Sequence, residues 1–487
     1  MNAKPTGDGS VARSGIEHIV ALVLENRSFD HLLGDLGRSG ALPVDGGTAP
    51  MMNRDINGRE VTLGEVRSNV TPDLPHDFGD VVISLMDENG GFVRADQLFH
   101  RGKVTADPRR VMSYYPTDSL PVTHRLAREY SVSDAWFASV PAGTWPNRLF
   151  LVASSSEGQV TNTLPGFLYD MPTVFDRLAV DDWAIYTDQL PNVALIKSLG
   201  IEFAKSKLVG GHFHSMRRFE EECARGTLRA FSFIEPVYLG DANDSAHPPG
   251  DILRSEHLIG RVYAALRRSP LWERTLLLVL YDEHGGFFDH VSPPDGVPSP
   301  GSGAFGFDFT RLGVRVPCLI VSSYAPRGGV FRPPKGGFID HTSLIATVLR
   351  QRDLGPLTPR DEAVTDVWGA LMEGRPRTDD EATMNQVVAW TESQNLALTR
   401  DIVGPLDPQL LAERPGRDIA AAIIAAAPRA PSSALYRDAG TGVGAEIALA
   451  GGRDATLEEA QVALAQAILA LPPDPAELQV EDPQLVH

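Results

Sequence analysis

Cysteine is nearly absent from this 487-residue chain: Cys223 and Cys318 are its only two, which excludes a disulfide framework as a source of stability. Cys318 falls within the apolar run 316–321 and reads as a buried strand residue. Long hydrophobic runs are missing too. A membrane-crossing helix needs roughly 20 apolar residues, and the alanine-rich stretch 419–427 is far shorter. Basic residues are in deficit, 44 against 63 acidic, for a net charge of -19. A polyanion would be repelled, so a nucleic-acid partner is not expected, nor an anionic membrane surface. Overall charge does not govern a local pocket, where a metal ion and one or two arginines can still hold a phosphate group. The first 15 residues lack both an apolar signal core and a twin-arginine pair, which predicts a cytoplasmic protein unless a leader has been removed.

What is present is ordinary globular composition, 43% hydrophobic and 22% charged, in a chain long enough for one large α/β domain with additions. Apolar β-branched runs at 16–24, Trp183–Tyr186, 228–234, Thr275–Tyr281 and 314–322 read as buried strands, with a helix at 251–267 between two of them. Their alternation predicts a mostly parallel sheet covered by helices on both faces. The Pro- and Gly-rich stretch 291–334 reads as long loops around a pocket. The expected organisation is a flexible 1–15, a catalytic domain over 16–355, and a helical extension over 356–487, with helices such as 419–427 and 455–471, packed on that domain.

In open α/β sheets ligands bind beyond the carboxyl ends of strands, and two of these runs end in acids. Glu25-Asn26 follows the first, and Asp282-Glu283, then His284-Gly285-Gly286, follows Thr275–Tyr281. Adjacent acids are more often solvated loop residues, but at buried strand ends they need a cation. Three carboxylates and an amide oxygen are hard ligands that suit calcium, magnesium or manganese better than zinc or iron. In Gly143-Thr144-Trp145-Pro146-Asn147-Arg148 the early proline marks a helix start. Thr144 there either caps the helix or sits at an anion-binding helix mouth, and Arg148 either clamps phosphate or pairs with an acid. His76, His247 and His341 lie in loops where they could handle protons. His290 is expected to hold the Asp282 loop by hydrogen bonding. Phe287, Phe288 and Trp145 are candidates to receive lipid chains, although loop aromatics more often pack against their own domain.

Three blocks, Glu25-Asn26-Arg27-Ser28-Phe29-Asp30, Thr144-Trp145-Pro146-Asn147-Arg148 and the run from Asp282-Glu283-His284-Gly285-Gly286 to His290-Val291-Ser292-Pro293-Pro294, resemble the signature blocks of one phosphoesterase family. That family contains bacterial and plant non-specific phospholipase C and certain acid phosphatases. Further similarity at His76, at His247-Pro248-Pro249 and at Gly313-Val314-Arg315-Val316-Pro317 extends the match over about 16–350. The resemblance implies an alkaline-phosphatase-like α/β/α sandwich. It implies one divalent metal on Glu25, Asn26, Asp282 and Glu283, with Thr144 as nucleophile and metal ligand. It puts His76 and His247 at the phosphate or leaving group, and Asn147 and Arg148 at the substrate.

The expected activity is phospholipase C-type cleavage of phospholipid phosphodiesters through a phosphothreonine, with phosphomonoester hydrolysis, as in an acid phosphatase, the close competitor. A non-catalytic metal- or lipid-binding module is the alternative from another class. A sulfatase ranks last, because no Cys or Ser stands in an activation motif at the nucleophile position.

Overall fold

A computed structural model describes residues 15–48, 50–100, 107–162, 168–238, 242–299 and 303–402. The segment expected to be flexible (1–15), apart from Gly15, and the helical segments expected at 419–427 and 455–471 lie outside them. The chain divides into two compact units, the first comprising 1–162, 171–193 and 212–405 and the second 163–170, 194–211 and 406–487.

The first unit is built on one sheet of eight strands: β1 (His18–Leu24), β2 (Ser131–Ser133), β3 (Trp183–Tyr186), β4 (Phe213–His214), β5 (Phe231–Ile234), β6 (Thr275–Tyr281), β7 (Cys318–Val321) and β8 (Gly329–Phe331). Their order across the sheet is β8-β2-β7-β6-β1-β5-β3-β4. β7 runs against both its neighbours, whereas the other adjacent pairs are parallel. Every residue of β6 and all of β1 after His18 are buried. A strand covered on both faces has no use for alternation, which is why these runs are continuously apolar. Helices lie on both sides of the sheet, giving the three-layer arrangement expected.

Three helices matter for the site: α1 (Thr144–Ala153), α2 (Ile252–Arg267) and α3 (Thr342–Gln351). Asp251 caps α2 by accepting from the Leu253 N–H at 2.9 Å, which satisfies one of the amides that the first turn leaves open. β3 and β6 have the bounds read from the sequence, and β1, β5 and β7 are shorter at their ends. β2, β4 and β8 were not anticipated, because two or three residues carry too little pattern to register. Both cysteines are free and buried, Cys318 in β7.

Past residue 355 the chain stays in the first unit as far as 405. Fully buried Arg360 donates from Nε to Asp340 at 2.8 Å, from Nη2 to the Ser139 carbonyl at 2.6 Å and from Nη1 to the Phe309 carbonyl at 3.1 Å. Asp380 likewise accepts from Tyr130 and Arg267. In the second unit the described residues include the helix Lys197–Val209, whose first N–H donates to the Tyr169 carbonyl.

Candidate active site

The parallel register that pairs Leu24 with Tyr281 brings the carboxyl ends of β1 and β6 side by side. The Asp282 N–H donates to the Leu24 carbonyl at 3.1 Å, and the Arg27 N–H to that of Glu283 at 2.9 Å. The Asn26 N–H donates to Asp282 Oδ1 at 3.1 Å. Asn26 takes a left-handed φ of 60°, which asparagine tolerates better than most residues. Gly285, at φ 63°, has no such choice, since a Cβ there would lie 2.3 Å from the Asn26 carbonyl oxygen.

Glu25, Asn26, Asp282 and Glu283 are all buried. Both Glu25 carboxylate oxygens, Asn26 Oδ1 and Glu283 Oε1 have no hydrogen-bond partner among the described residues. Buried polar atoms are costly in that state. Burial and then the Asp282 charge push the Glu25 carboxyl up to about 8, against the pull of Arg148. Burial pushes Asp282 up to about 6, with Arg148 opposing it. Burial is the largest influence on Glu283 and would raise it too, but His76, His284 and the Gly285 N–H together outweigh it and the net shift is downward. These acids repel one another and leave oxygens unsatisfied, and a divalent cation answers both needs, so the donor set fits one. Two other groups bring possible ligand atoms together, Asp73 with His76 and His247, and Asp30 with Asp289 and His290. Arg315 neutralises the second, bonding Asp289 at 3.1 Å and Asp30 at 3.0 Å.

Arg148, 1% exposed, donates from Nε to Asp282 Oδ2 at 2.9 Å and from Nη2 to the Leu24 carbonyl at 3.0 Å. Glu25 lies 3.8 Å and Glu235 3.9 Å from its guanidinium. The alternative of a surface pair is thus excluded, and the expected phosphate clamp is engaged with a carboxylate instead. Thr144 precedes it by four residues on α1 and therefore shares its face. Gly143 holds the cap position, so Thr144 does not cap the helix, and the Trp145 N–H is taken by Asn162 Oδ1 at 2.9 Å. Asn147, expected at the substrate, turns inward. Its amide donates to the Ala142 carbonyl at 2.9 Å and the Gly143 carbonyl at 3.0 Å, and its oxygen accepts from the Val140 N–H at 3.1 Å.

His76 and His247 approach edge to face, ring centres 5.9 Å apart. His76 bonds the Leu74 carbonyl through Nδ1 at 2.6 Å and meets Asn26 Nδ2 through Nε2 at 3.2 Å. Burial alone would depress it, but Glu283, Asp73, the Leu74 carbonyl and Asp77 together raise it to about 9. Burial lowers His247, whose Nδ1 is held by the Pro248 carbonyl. His341 accepts at Nδ1 from Trp136 Nε1–H at 3.2 Å, so its Nε2–H donates to the Asp282 carbonyl at 2.5 Å. His290 anchors the far end of the loop that follows Asp282, its N–H donating to Asp30 Oδ2 at 2.8 Å, and makes no bond to Asp282 itself. It joins Asp30 at 2.7 Å to Asp45 at 2.9 Å.

The aromatic expectation is corrected. Trp145, Phe287 and Phe288 are buried, Phe287 stacking on His31 at 3.8 Å, and their packing leaves nothing for a lipid chain. An exposed aromatic is Phe305, 82% accessible, stacked on Phe78 two residues beyond His76. Glu235 was also missed. It follows the last residue of β5, beside β1 in the sheet, and accepts from the Asn192 and Val193 N–H groups at 2.7 and 3.0 Å. The rule applied to Glu25 and Asp282, an acid just past an apolar run, would have found it.

A polar centre at the carboxyl edge of a mostly parallel sheet is the architecture of an α/β enzyme. The model of the Phosphoesterase family matches residues 16–354. Non-specific phospholipase C3 of Arabidopsis thaliana is 33% identical over 417 residues, 78% of this chain and 78% of that protein. Phospholipase C B of Mycobacterium tuberculosis (strain CDC 1551 / Oshkosh) is 29% identical over 394 residues, 68% of this chain and 72% of that protein. Among solved structures, the lipoteichoic acid synthase LtaP from Listeria monocytogenes aligns with 81% of this chain and 95% of that chain at 10% identity and a TM-score of 0.38. The chain belongs to the phosphoesterase family and is a hydrolase of phosphate esters.

Proposed function

We propose that this phosphoesterase cleaves phosphodiesters of the phospholipid type, releasing diacylglycerol and a phosphorylated head group through a phosphothreonine on Thr144. The similarity to phospholipases C supports the substrate class. The observation that carries the chemistry is the set of buried, unpartnered oxygens of Glu25, Asn26 and Glu283 at the tips of β1 and β6. With Asp282 and Thr144 Oγ1 they would hold one divalent cation, calcium, magnesium or manganese before zinc or iron. When bound, that ion polarises the phosphoryl oxygen and lowers the pKa of a coordinated hydroxyl.

Thr144 Oγ1 releases its proton to solvent and attacks phosphorus in line, and the bond to the departing alcohol breaks as the Thr–O–P bond forms; a solvent proton returns to Thr144 Oγ1 when that bond is hydrolysed. His247 is assigned the proton given to the leaving oxygen, because Nε2 of His76 already meets Asn26, and His76 is assigned to phosphate. In the second half His247 takes a proton from water, which attacks the phosphothreonine, frees the head-group phosphate and restores the hydroxyl. Arg148 balances the carboxylates and fixes Asp282, and Asn147 fixes the 140–143 loop that leads into Thr144.

Acid-quenched turnover of a phosphorus-labelled substrate tests this. Label should stay on the wild-type protein and be lost, with most turnover, in Thr144→Ala; full activity of that variant eliminates the mechanism. Phosphatidylcholine should outperform a simple aryl phosphate monoester in kcat/KM, and the reverse order makes the enzyme a phosphomonoesterase. Hydrolysis of neither, with metal bound, leaves a binding module.

A further inference from the structure

The loop that carries His247 is bent in a way its sequence does not favour. Ala246 sits at φ 77°, a left-handed conformation that costs an alanine and is free to a glycine. Buried Arg27 grips that residue with a fork, donating to the Ala246 carbonyl from Nε at 2.9 Å and from Nη2 at 2.7 Å. Its remaining nitrogen, Nη1, donates to Thr71 Oγ1 at 2.8 Å and meets His31 Nε2 at 3.1 Å. The guanidinium lies 5.0 Å over the Phe287 ring. The backbone of the same residue donates to Glu283 at 2.9 Å, and the Glu25 N–H donates to Ser245 at 2.8 Å. One residue thus joins both acidic strand tips to the His247 loop.

We propose that Arg27 is a positioning residue that holds Ala246 in its strained conformation and so aims His247 at the leaving oxygen. This rests on the reading of His247 as the group that protonates the departing alcohol. A two-point clamp suits arginine, since a lysine ammonium keeps the charge and loses the planar fork.

The test uses two esters of the same phosphoryl group, one with an alkyl and one with a nitrophenyl leaving group, and kcat/KM of the full chain in the cation that supports turnover. An alkoxide needs a proton to depart and a nitrophenolate does not. His247→Ala should therefore lose about 100-fold or more on the alkyl ester and much less on the nitrophenyl ester. Arg27→Lys should show the same selectivity at about 10- to 100-fold. Adding Ala246→Gly to Arg27→Lys should recover several-fold of the alkyl activity, because glycine adopts the left-handed bend without help. Should Arg27→Lys fail to fold, Ala246→Val asks the same question from the other side of the clamp, since a β-branched residue resists this φ, and an alkyl-selective loss is expected. Equal losses on both esters in Arg27→Lys or Ala246→Val, beside a selective His247→Ala, overturn the role of Arg27 alone. Equal losses in His247→Ala overturn the proton assignment and the inference together.

Discussion

Burial sets the chemistry of single residues here more than local sequence does. His124 is an instance away from the site: its Nε2–H donates to the Leu32 carbonyl at 2.8 Å, and burial depresses its pKa to about 4. The folded protein holds this ring neutral, whereas the unfolded chain protonates it near 6.5. Stability from His124 is therefore complete above about pH 6.5 and is lost as pH falls to about 4, by about 3 kcal/mol in all. Urea unfolding across that window should give a shallower pH dependence for His124→Gln than for wild type. An unchanged slope removes His124 from the acid sensitivity.

Elements convert these local demands into a site. Helix α1 presents Thr144 and Arg148 four residues apart, while Asn147, just before Arg148, ties down residues 140–143. Asn147→Ala would leave buried backbone groups unpaired, so it should lower unfolding stability by about 2–3 kcal/mol and reduce kcat; urea titration and steady-state kinetics check both, and an unaltered midpoint denies Asn147 this part. The contrast between Asn147 and Arg148 also marks how far the sequence could be read. Glu25 and Asp282 were legible because each ends a run of buried apolar residues, a pattern that one strand carries by itself. The direction taken by Asn147 depends on how the nearby loop 140–143 folds back over it, and the burial of Phe287 and Phe288 depends on partners remote in the chain, such as His31. Local pattern holds no record of those partners. Glu235 carried a legible signal, whereas β2, β4 and β8 are too short to carry one.

At the scale of the whole molecule, the proposed cation would be part of the fold as well as of the chemistry. A ligand that binds only the folded state stabilises it by about 2.7 kcal/mol at a hundred times its Kd, so a chelator should lower Tm by about 3 °C in a chain of this size, and the divalent ion should restore it. A Tm indifferent to both in calorimetry speaks against the assigned donors. The topology adds a consequence for biosynthesis. Asn26 and Asp282 stand 256 residues apart, and β1 has neither neighbour in the sheet until the ribosome has made β5 and β6. At about 5–20 residues per second, the first half of the proposed cation site would wait on the order of 10–50 s for its complement. With the proposed donors, a nascent chain would be inert toward phosphate esters until late in translation, and truncated products would carry no hydrolytic hazard.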